Sequence, residues 1–476
     1  MSAAQTDPRR WNALGLLCAT QFMIVIDVSI INVALPTIQR VLHFSTANLQ
    51  WVASGYALTF GGFLLLGGRA ADLLGRRRMF MIGLLLFVAA SLACGFAGSS
   101  GFLIGARAVQ GLGAAIVAPA ALSILTTTFA EGVERNKALA LWGAVSGAGG
   151  AVGVLLGGVF TEYFGWEWVF YVNVPIGLVA IALAPRLLRE SRVEDAVRNF
   201  DAAGALIVTA SLSLFVYTLV ETDSNHWLSA ITIGLFVISA VLLVIFVAIE
   251  RRAAHPLLPL SIFQLRTLTG ANVVGFLLGA SLFSMFFLLA LYMQSPAGLG
   301  YSPLRSGIGY LLVAISIIVS AGASQVVVTK IGVPKVMALG LALLTAGLLW
   351  FTQVSPHGTY LIDLAPGFLL AGVGLGFSFI PVTIAALQGI TDDQAGLASG
   401  LINTSQQIGG ALGVALLTTV LTNYTLSHRG GPEVFTDGLS RAFLVGAALA
   451  VVAFIANLLL VRDAVPEQQP GATQPA

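Results

Sequence analysis

The sequence predicts an all-α polytopic membrane protein, and three observations support that fold class. More than half of the 476 residues are apolar, only 9% are charged, and the mean hydropathy is +0.92. Soluble domains carry about 25% charged residues. Apolar stretches of about 20 residues recur along the chain, and each is long enough to cross a hydrocarbon core of about 30 Å. Barrel strands are shorter and alternate in polarity, so helices are the expected spanning elements.

Fourteen spans are predicted, separated by short polar links. The first is too long for a signal-peptide core and lacks a small-residue cleavage site, so we expect it to be retained. Cys18 and Cys94 both fall inside spans and suggest no metal site. The spans cover approximately residues 12–34, 49–71, 79–98, 101–125, 138–160, 168–188, 202–221, 227–249, 269–293, 305–328, 335–353, 361–387, 396–424 and 440–461.

Basic residues predict the orientation of these spans. If the N-terminus is cytoplasmic, the inner links hold most of the arginines and lysines, and the outer links and their edges keep Arg40, Arg305, Arg429 and Arg441. This is the positive-inside pattern, and with an even number of spans it predicts that both termini are cytoplasmic. The basic residues are spread over many links, so no nucleic-acid partner is expected. The Pro- and Gln-rich tail, residues 463–476, is expected to be disordered.

Two segments of the chain repeat. GGAVGVLL at 149–156 returns as GGALGVALL from residue 409, and Gly75, Arg78 and Gly83 match Gly332, Lys335 and Gly340 in spacing and type. Chance similarity among Gly- and Ala-rich helices is the alternative explanation. Internal repeats are typical of secondary transporters. The repeat predicts an N-terminal six-helix bundle (1–190), two inserted helices with cytoplasmic links (191–266), a C-terminal six-helix bundle (267–462) and the tail (463–476).

The first span contains an unexpected carboxylate, Asp27, within FMIVIDVSIINVALP. A charge at mid-membrane depth costs about 2.5–3.5 kcal/mol on insertion scales. Arg107, in GFLIGARAVQGLGAAIVAP of span 4, lies at nearly the same depth below the outer edge. Snorkelling toward the surface is one explanation for this arginine. The shared depth, with no other carboxylate near a span centre, favours a pair between Asp27 and Arg107.

Glycines mark two further features. The link after span 2 reads GGRAADLLGRRRM, in which Gly75 permits a tight turn and Asp72 ends a helix. The positive-inside rule and a turn glycine explain the link, except for an acidic residue three positions before the glycine.

Small residues four apart allow close helix packing in lipid. The glycines of span 5 lack the spacing and the preceding strand of a nucleotide-binding loop. They form a set of small residues suited to helix packing: Gly143, Gly147, Gly149, Gly150, Gly153, Gly157 and Gly158.

Polar and aromatic residues in later spans are candidates for a cavity surface. Span 13 carries five uncharged polar residues in a row, Asn403 to Gln407, and polar groups in a span usually face the bundle or a cavity. Span 9 carries several aromatic residues, for which contact with lipid and contact with substrate are both open. The candidate lining residues are Gln110, Asn403, Gln407, Phe283 and Phe287.

Together, IDVSIINVALP, GRAADLLGRRR, IGARAVQGLGAA, GAVGVLLGG, WEWVFYVNVP and GLASGLINTSQQIGGALG resemble the major facilitator superfamily, and more narrowly its bacterial 14-spanning drug:proton antiporters. The resemblance covers nearly the whole chain. It implies two six-helix bundles around a central cavity lined by spans 1, 4, 9 and 12. It also implies a cytoplasmic clasp between conformational states, formed by Gly68, Asp72, Gly75, Arg76 and Arg78.

The chain departs from the family pattern at two positions. Val154 stands where the span 5 motif usually has a proline before its glycine pair, and this departure concerns the hinge in that span. Leu73 stands where the span 2–3 motif usually has an arginine, although three arginines follow it.

The sequence thus predicts a proton-coupled exporter of hydrophobic small molecules in a bacterial plasma membrane, with no enzyme activity and no cofactor besides the coupling proton. Asp27 is the expected proton-coupling carboxylate and Arg107 its modulator. With no acidic residue in the middle of spans 9–14, lipophilic monocations or neutral antibiotics are the expected substrates. One alternative is a facilitator that moves a metabolite without a proton. Another is a membrane enzyme or sensor, against which stand the short links and the lack of histidine within spans.

Overall fold

A computed structural model describes residues 9–129, 133–191, 202–225, 229–253, 256, 260–356, 358–390, 395–428 and 430–462. Within these ranges the chain forms sixteen α-helices and no β-strand. They are α1 (Arg10–Val41), α2 (Thr46–Leu49), α3 (Trp51–Leu74), α4 (Arg76–Gly95), α5 (Ser100–Thr128), α6 (Val133–Tyr163), α7 (Trp168–Tyr171), α8 (Asn173–Leu187), α9 (Ala202–Asn225), α10 (Ala230–Arg252), α11 (Arg266–Gln294), α12 (Pro303–Ile331), α13 (Val333–Trp350), α14 (Ala365–Leu387), α15 (Ala395–Ser427) and α16 (Pro432–Leu460).

The all-α polytopic fold class is confirmed. Among the described residues, thirteen helical segments are long and apolar enough to cross a membrane. The seventh predicted span, 202–221, forms α9, in which the described apolar stretch is the shorter Leu206–Thr218. The helices α2 and α7 are single turns beside the predicted outer links. The predicted tail, 463–476, lies outside the described residues.

The repeated glycines occupy equivalent positions in the two halves. Gly75 separates α3 from α4 with φ of 108°, and Gly332 separates α12 from α13 with φ of 88°. Such positive φ values favour glycine, which has no Cβ to clash with the backbone. Eight residues after each turn, Gly83 packs against α5 and Gly340 packs against α14. The same device therefore joins the second helix of each half to the third.

The glycine repeat near 149 and 409 also has one structural role in both halves. A Cβ built on Gly153 would lie 3.2 Å from the Ile26 carbonyl oxygen, and one on Gly157 would lie 2.6 Å from that of Ile30. In the second half, a Cβ on Gly413 would lie 2.5 Å from Cα of Ala280. The helix pairs α1–α6 and α11–α15 therefore approach closely because glycine leaves room for the neighbouring backbone.

Two glycines of the predicted set, Gly143 and Gly150, have no described heavy atom within 4 Å of the place where a Cβ would be. Gly143 is also exposed. It lies six residues before Gly149, the first glycine of the set that contacts α1, and nothing described packs against the place of its Cβ. The surroundings of Gly147 lie outside the described part of the chain.

Helix packing groups α1, α3, α4, α5, α6 and α8 in one half and α11 to α16 in the other. Helix α9 packs against α10 and also against α3 of the first half and α15 of the second. The inserted pair thus lies against both halves on one side of the molecule. The domain boundaries at 190, 266 and 462 stay predictions.

The two halves meet closely at one end of the bundle, which we call the closed end. It comprises Val33, Gly158, Glu162, Gln294 and Leu304. A Cβ on Gly158 would lie 2.8 Å from Cα of Leu304, whose backbone N–H donates to Glu162 Oε2 over 2.8 Å. Beside them, Gln294 Nε2 donates to the carbonyl oxygen of Val33 over 2.7 Å. Helices α1 and α6 end near these contacts, and α12 begins there.

Candidate functional site

The candidate site is a buried ion pair between α1 and α5. Asp27 is 0% exposed and Arg107 is 1% exposed. Arg107 Nη1 donates to Asp27 Oδ2 over 2.6 Å, so the pair expected from the shared depth of these residues forms. Arg107 does not snorkel. Its guanidinium stays between helices because the carboxylate and a carbonyl satisfy it there.

Two amide side chains hold the other oxygen of the carboxylate. Asp27 Oδ1 accepts from Gln110 Nε2 over 2.7 Å and from Asn173 Nδ2 over 2.8 Å. Both amides also donate to Ser91 Oγ, over 3.1 Å each, and Ser91 donates to the carbonyl oxygen of Phe170 over 2.9 Å. The carboxylate thus receives three N–H donors from α5 and α8, and the serine on α4 fixes two of them.

The guanidinium of Arg107 has its own partners. Nε donates to the Val52 carbonyl oxygen over 2.9 Å, and Nη1 donates to Gln110 Oε1 over 2.7 Å as well as to Asp27. The cation also lies 4.3 Å from the centre of the Tyr56 ring and 5.8 Å from that of Phe170. Aromatic faces attract a desolvated cation. These contacts replace part of the hydration that a buried guanidinium loses.

Local sequence explains how these side chains come together. Glycines on α5 allow α3 and α4 to approach it: a Cβ on Gly113 would lie 2.7 Å from the backbone nitrogen of Phe87, and Gly111 leaves no space for one beside Tyr56. The short turn α7 ends just before α8, so Asn173 begins a new helix and points into the bundle rather than along its surface. The site is therefore built where α3 and α4 pack closely on α5 and where α8 begins.

The arrangement contains one group that can take up and release a proton next to one fixed cation. With Asp27 ionised, the pair is neutral overall. When Asp27 is protonated, Arg107 keeps a positive charge without its counter-ion, because arginine stays protonated in proteins. Each proton taken up therefore changes the charge inside the bundle by one unit, in surroundings where that charge interacts strongly.

Sequence reasoning missed three members of this site: Ser91, Asn173 and Tyr56. Each is 2% exposed or less. The signal that identifies Ser91 and Asn173 is the one already applied to span 13, namely a polar side chain within an apolar span. Asn173 lies in WEWVFYVNVP, which carries the family resemblance. Tyr56 has no comparable signal, since a tyrosine in a span is usually an ordinary packing residue.

The predicted clasp region contains a contact that the sequence did not indicate. Glu190, which follows α8, accepts from the backbone N–H groups of Arg77 and Arg78 over 3.1 Å each, so it caps the start of α4. Arg77, which was not among the predicted clasp residues, also forms an ion pair with Glu190, with Nε and Oε2 3.7 Å apart. Arg76 contributes its backbone N–H to the carbonyl oxygen of Ser191.

The other clasp residues are less informative. Gly68 lies beside Pro119 of α5, with 3.4 Å between its Cβ position and Pro119 Cβ. The side chain of Asp72 lies outside the described part of the chain. The clasp role itself stays a prediction.

The candidate cavity residues separate into different environments. Gln110 belongs to the ion-pair site. Phe287 is 1% exposed and packs in the hydrophobic core in this conformation, and its role as a lining residue stays a prediction. Phe283 is partly buried against Gly410. Gln407 lies beside Gly61 where α15 meets α3, and Asn403 is exposed with its amide donating to the Ser399 carbonyl oxygen.

Many membrane-spanning helices in two equivalent halves, with a charge pair buried in one of them, define a polytopic transport protein rather than a soluble or monotopic one. Residues 17–414 match the sequence profile of the Major Facilitator Superfamily. The chain belongs to this family.

Similar bacterial proteins cover almost the whole chain. The puromycin resistance protein pur8 of Streptomyces alboniger is 39% identical over 95% of this chain and 91% of its own length. The cephamycin export protein CmcT of Amycolatopsis lactamdurans is 39% identical over 96% and 93%. The lincomycin resistance protein of Streptomyces lincolnensis is 35% identical over 93% and 91%.

Solved structures show the same fold at low sequence identity. The peptide transporter POT in complex with sulfate superposes with a TM-score of 0.67 at 17% identity, covering 93% of this chain and 94% of that one. The nucleoside transporter NupG superposes with a TM-score of 0.65 at 13% identity, covering 94% and 100%. The major facilitator fold predicted from the sequence is thereby confirmed.

Proposed function

We propose that this protein is a proton-coupled secondary exporter of hydrophobic small molecules, and that Asp27 is its proton-coupling carboxylate. The observation that carries the proposal is the fully buried Asp27–Arg107 pair. Apolar residues of similar volume often stabilise a protein as well as a buried ion pair does, or better. Burying two charges between membrane helices thus brings little or no gain in stability. The pair is therefore better explained by function than by stability.

The chemistry of the pair supports alternating uptake and release of a proton. Ionised Asp27 binds Arg107 and two amides, which ties α1 to α5 and α8. A proton on Asp27 removes the charge attraction and frees α1 to move relative to α5. A ligand shifts such an equilibrium only through different affinities for the two states. Export is coupled to proton entry if substrate binding disfavours the protonated form.

The names of the relatives support the substrate class. They refer to puromycin, cephamycin and lincomycin, which are antibiotics, and to resistance or export. We propose lipophilic neutral or singly positive compounds for this chain. Among the described residues from 267 to 462, Asp363 lies just before α14 and Glu433 and Asp437 lie near the start of α16, so no described carboxylate is placed for a divalent cation at mid-depth.

The proposed setting is a bacterial plasma membrane with both termini cytoplasmic, as the distribution of basic residues indicates. In that orientation the closed end faces outward. No enzyme activity and no resident cofactor form part of the proposal, because the proton is the coupling ion. The second candidate, a facilitator that moves a metabolite without a proton, makes Asp27 purely structural.

Purified protein in liposomes tests the proposal directly. The test applies a pH gradient in which the side that receives the substrate is more acidic than the side that loses it. This gradient should drive export of a fluorescent lipophilic cation by the wild type. Asp27→Asn should insert at normal levels yet lose gradient-driven export, and Asp27→Glu should retain part of it, because only a carboxyl group can carry the proton.

Asn32→Leu is a matched control on the same helix, since among the described residues Asn32 donates to the carbonyl oxygens of Val28 and Ser29, one turn before it, and to none on another helix. We expect its export to stay coupled to the gradient. Undiminished gradient-driven export by Asp27→Asn would contradict the proposed mechanism and favour the uncoupled facilitator.

A further inference from the structure

Asn173 is the least expected member of the ion-pair site. It is the first residue of α8, it is 0% exposed, and its Nδ2 donates both to Asp27 Oδ1 and to Ser91 Oγ. It reaches Asp27 across 146 positions of sequence, so its contact depends on the packing of α8 against α1 and α4. A side chain placed this way can influence the proton carrier without touching a substrate.

The carbonyl end of the same amide has no partner. Within the described part of the chain, Asn173 Oδ1 is buried and accepts no hydrogen bond. Buried polar atoms are nearly always hydrogen-bonded, and each exception requires an explanation. The orphaned oxygen belongs to a side chain whose other end holds a group that changes its protonation state.

The partners of Asp27 suit its ionised form and not its protonated form. Arg107 is a donor only, and the Gln110 and Asn173 nitrogens also donate. A protonated carboxyl group has an O–H that must donate to something. Ser91 Oγ already accepts two N–H groups, and Gln110 Oε1 already accepts from Arg107. Asn173 Oδ1 and Tyr56 Oη are the buried oxygens of this site that have no described partner, and of these two side chains only Asn173 hydrogen-bonds to Asp27 within the described residues.

We propose that Asn173 is a positioning residue that holds Asp27 in both protonation states. Its N–H donates to the carboxylate when Asp27 is ionised. When Asp27 binds a proton from water and becomes a neutral acid, the amide turns about its Cβ–Cγ bond and Oδ1 accepts the new O–H. On release, the proton returns to water and the amide turns back. This inference rests on the proposed function, because it requires that Asp27 takes up a proton.

The other groups near Asp27 do not replace this role. Arg107 of α5, Tyr56 of α3 and Cys94 of α4 are the charged or titratable groups that interact with it electrostatically. Other helices packed against α1 carry their described charges near their ends: Glu134, Arg135, Lys137 and Glu162 on α6, Arg186 on α8, Arg266 on α11, and Arg305 and Lys330 on α12.

Infrared difference spectroscopy of the purified full-length protein tests the inference. The C=O stretch of a carboxylic acid appears only when the group is protonated, and its frequency rises when the O–H loses its acceptor. A pH-induced difference spectrum should show a band that is absent in Asp27→Asn. In Asn173→Leu, this band should move to higher frequency, and the pH profile of gradient-driven export should change together with it.

A matched control is available on α16. Asn457 is also 0% exposed, donates through Nδ2 to a backbone carbonyl, that of Pro334, and has an Oδ1 without a described partner. Asn457→Leu makes the same chemical change far from Asp27, and we expect the Asp27 band to stay in place. Asn173→Ser is a second test variant, because the shorter side chain does not reach Asp27 and should shift the band like leucine does.

The outcomes separate the two proposals. Absence of any Asp27-dependent band at every accessible pH would remove the proposed function and this inference together. An Asp27-dependent band that keeps its frequency in Asn173→Leu would overturn the inference alone. Failure of both Asn173 variants to fold, with Asn457→Leu intact, would also overturn it, because asparagine would then be required for assembly rather than for the protonated state.

Discussion

At the scale of single residues, the central fact is that a carboxylate and a guanidinium share a buried site. Neither Asp27 nor Arg107 is exposed to solvent, and the hydrogen bonds to both come from Gln110, Asn173 and the Val52 backbone. Breaking a buried pair by removing one partner typically costs about 3–5 kcal/mol, because the other charge stays behind uncompensated. Each member of the pair therefore depends on the other for its place in the fold.

This dependence predicts the behaviour of Arg107→Gln. The variant leaves the Asp27 carboxylate buried without a cation and should destabilise the protein by about 3–5 kcal/mol near neutral pH. Thermal unfolding of the purified protein near neutral pH measures the effect.

A double variant controls this experiment. Asp27→Asn combined with Arg107→Gln removes both charges, and its stability should exceed that of Arg107→Gln. The double variant should regain stability but should not regain gradient-driven export. Equal unfolding temperatures for Arg107→Gln and the wild type would show that the pair contributes nothing to the fold.

Residues also show what the sequence could and could not predict at the site. The pairing of Asp27 with Arg107 was predictable because rare charges at one depth in a membrane have few other partners. The amide of Asn173 and the cap that Glu190 provides to α4 were not. Both contacts join positions more than a hundred residues apart, 146 and 113 respectively, through helix packing that no local pattern encodes.

At the scale of helices, glycine decides which pairs approach closely. The sequence predicted such packing for α6, and the structure shows it at Gly149, Gly153, Gly157 and Gly158, whereas Gly143, earlier in the helix, is exposed. Spacing alone did not separate the two ends, because both carry small residues four apart. What differs is the neighbour: α1 lies against one end and no described residue lies against Gly143.

This difference supplies a matched pair of variants. Gly157→Leu should lower the yield of folded protein or block transport, because the place of its Cβ is 2.6 Å from the Ile30 carbonyl oxygen and the helices would have to separate. Gly143→Leu makes the same change on the same helix and should be tolerated. Size-exclusion chromatography of both variants gives the yield. Normal yield and transport for Gly157→Leu would show that α1 and α6 do not depend on this contact.

At the scale of the whole molecule, the repeat made the architecture predictable. Equivalent glycines at 75 and 332 turn the chain, and equivalent glycines at 153 and 413 pack the same helix pair in each half. The position of the inserted helices was not predictable, since α9 lies against both α3 and α15 through contacts that have no repeat. The contact between halves at the closed end likewise has no signature in either half alone.

The topology gives a prediction for the whole chain. Reporter fusions after Arg78 and after Glu250 should report the cytoplasm, and fusions near His357 and Gly430 should report the outside. The reason is the excess of arginine and lysine in the links assigned to the inside. A fusion at Glu250 that reports the outside would remove the two-helix insertion from the topology.

The closed end carries the last prediction, because an alternating-access transporter must open and close it. Gly307 of α12 lies there against α6, and a Cβ on it would be 2.6 Å from the Val154 carbonyl oxygen. Gly307→Leu should therefore prevent closure and favour the state that is open at this end. Gly322→Leu on the same helix is the control, since no described heavy atom lies within 4 Å of its Cβ position.

Labelling at Val33 measures this shift. Val33 is fully buried in the structure, and its carbonyl oxygen accepts from Gln294 of the other half. In intact cells, a membrane-impermeant thiol reagent added outside should react with the Val33→Cys position several-fold faster when Gly307→Leu is also present. Gly322→Leu should leave the rate unchanged. Equal labelling with and without Gly307→Leu would show that these glycines do not control access from the outside, and the conformational change would then have to involve a different contact between the halves.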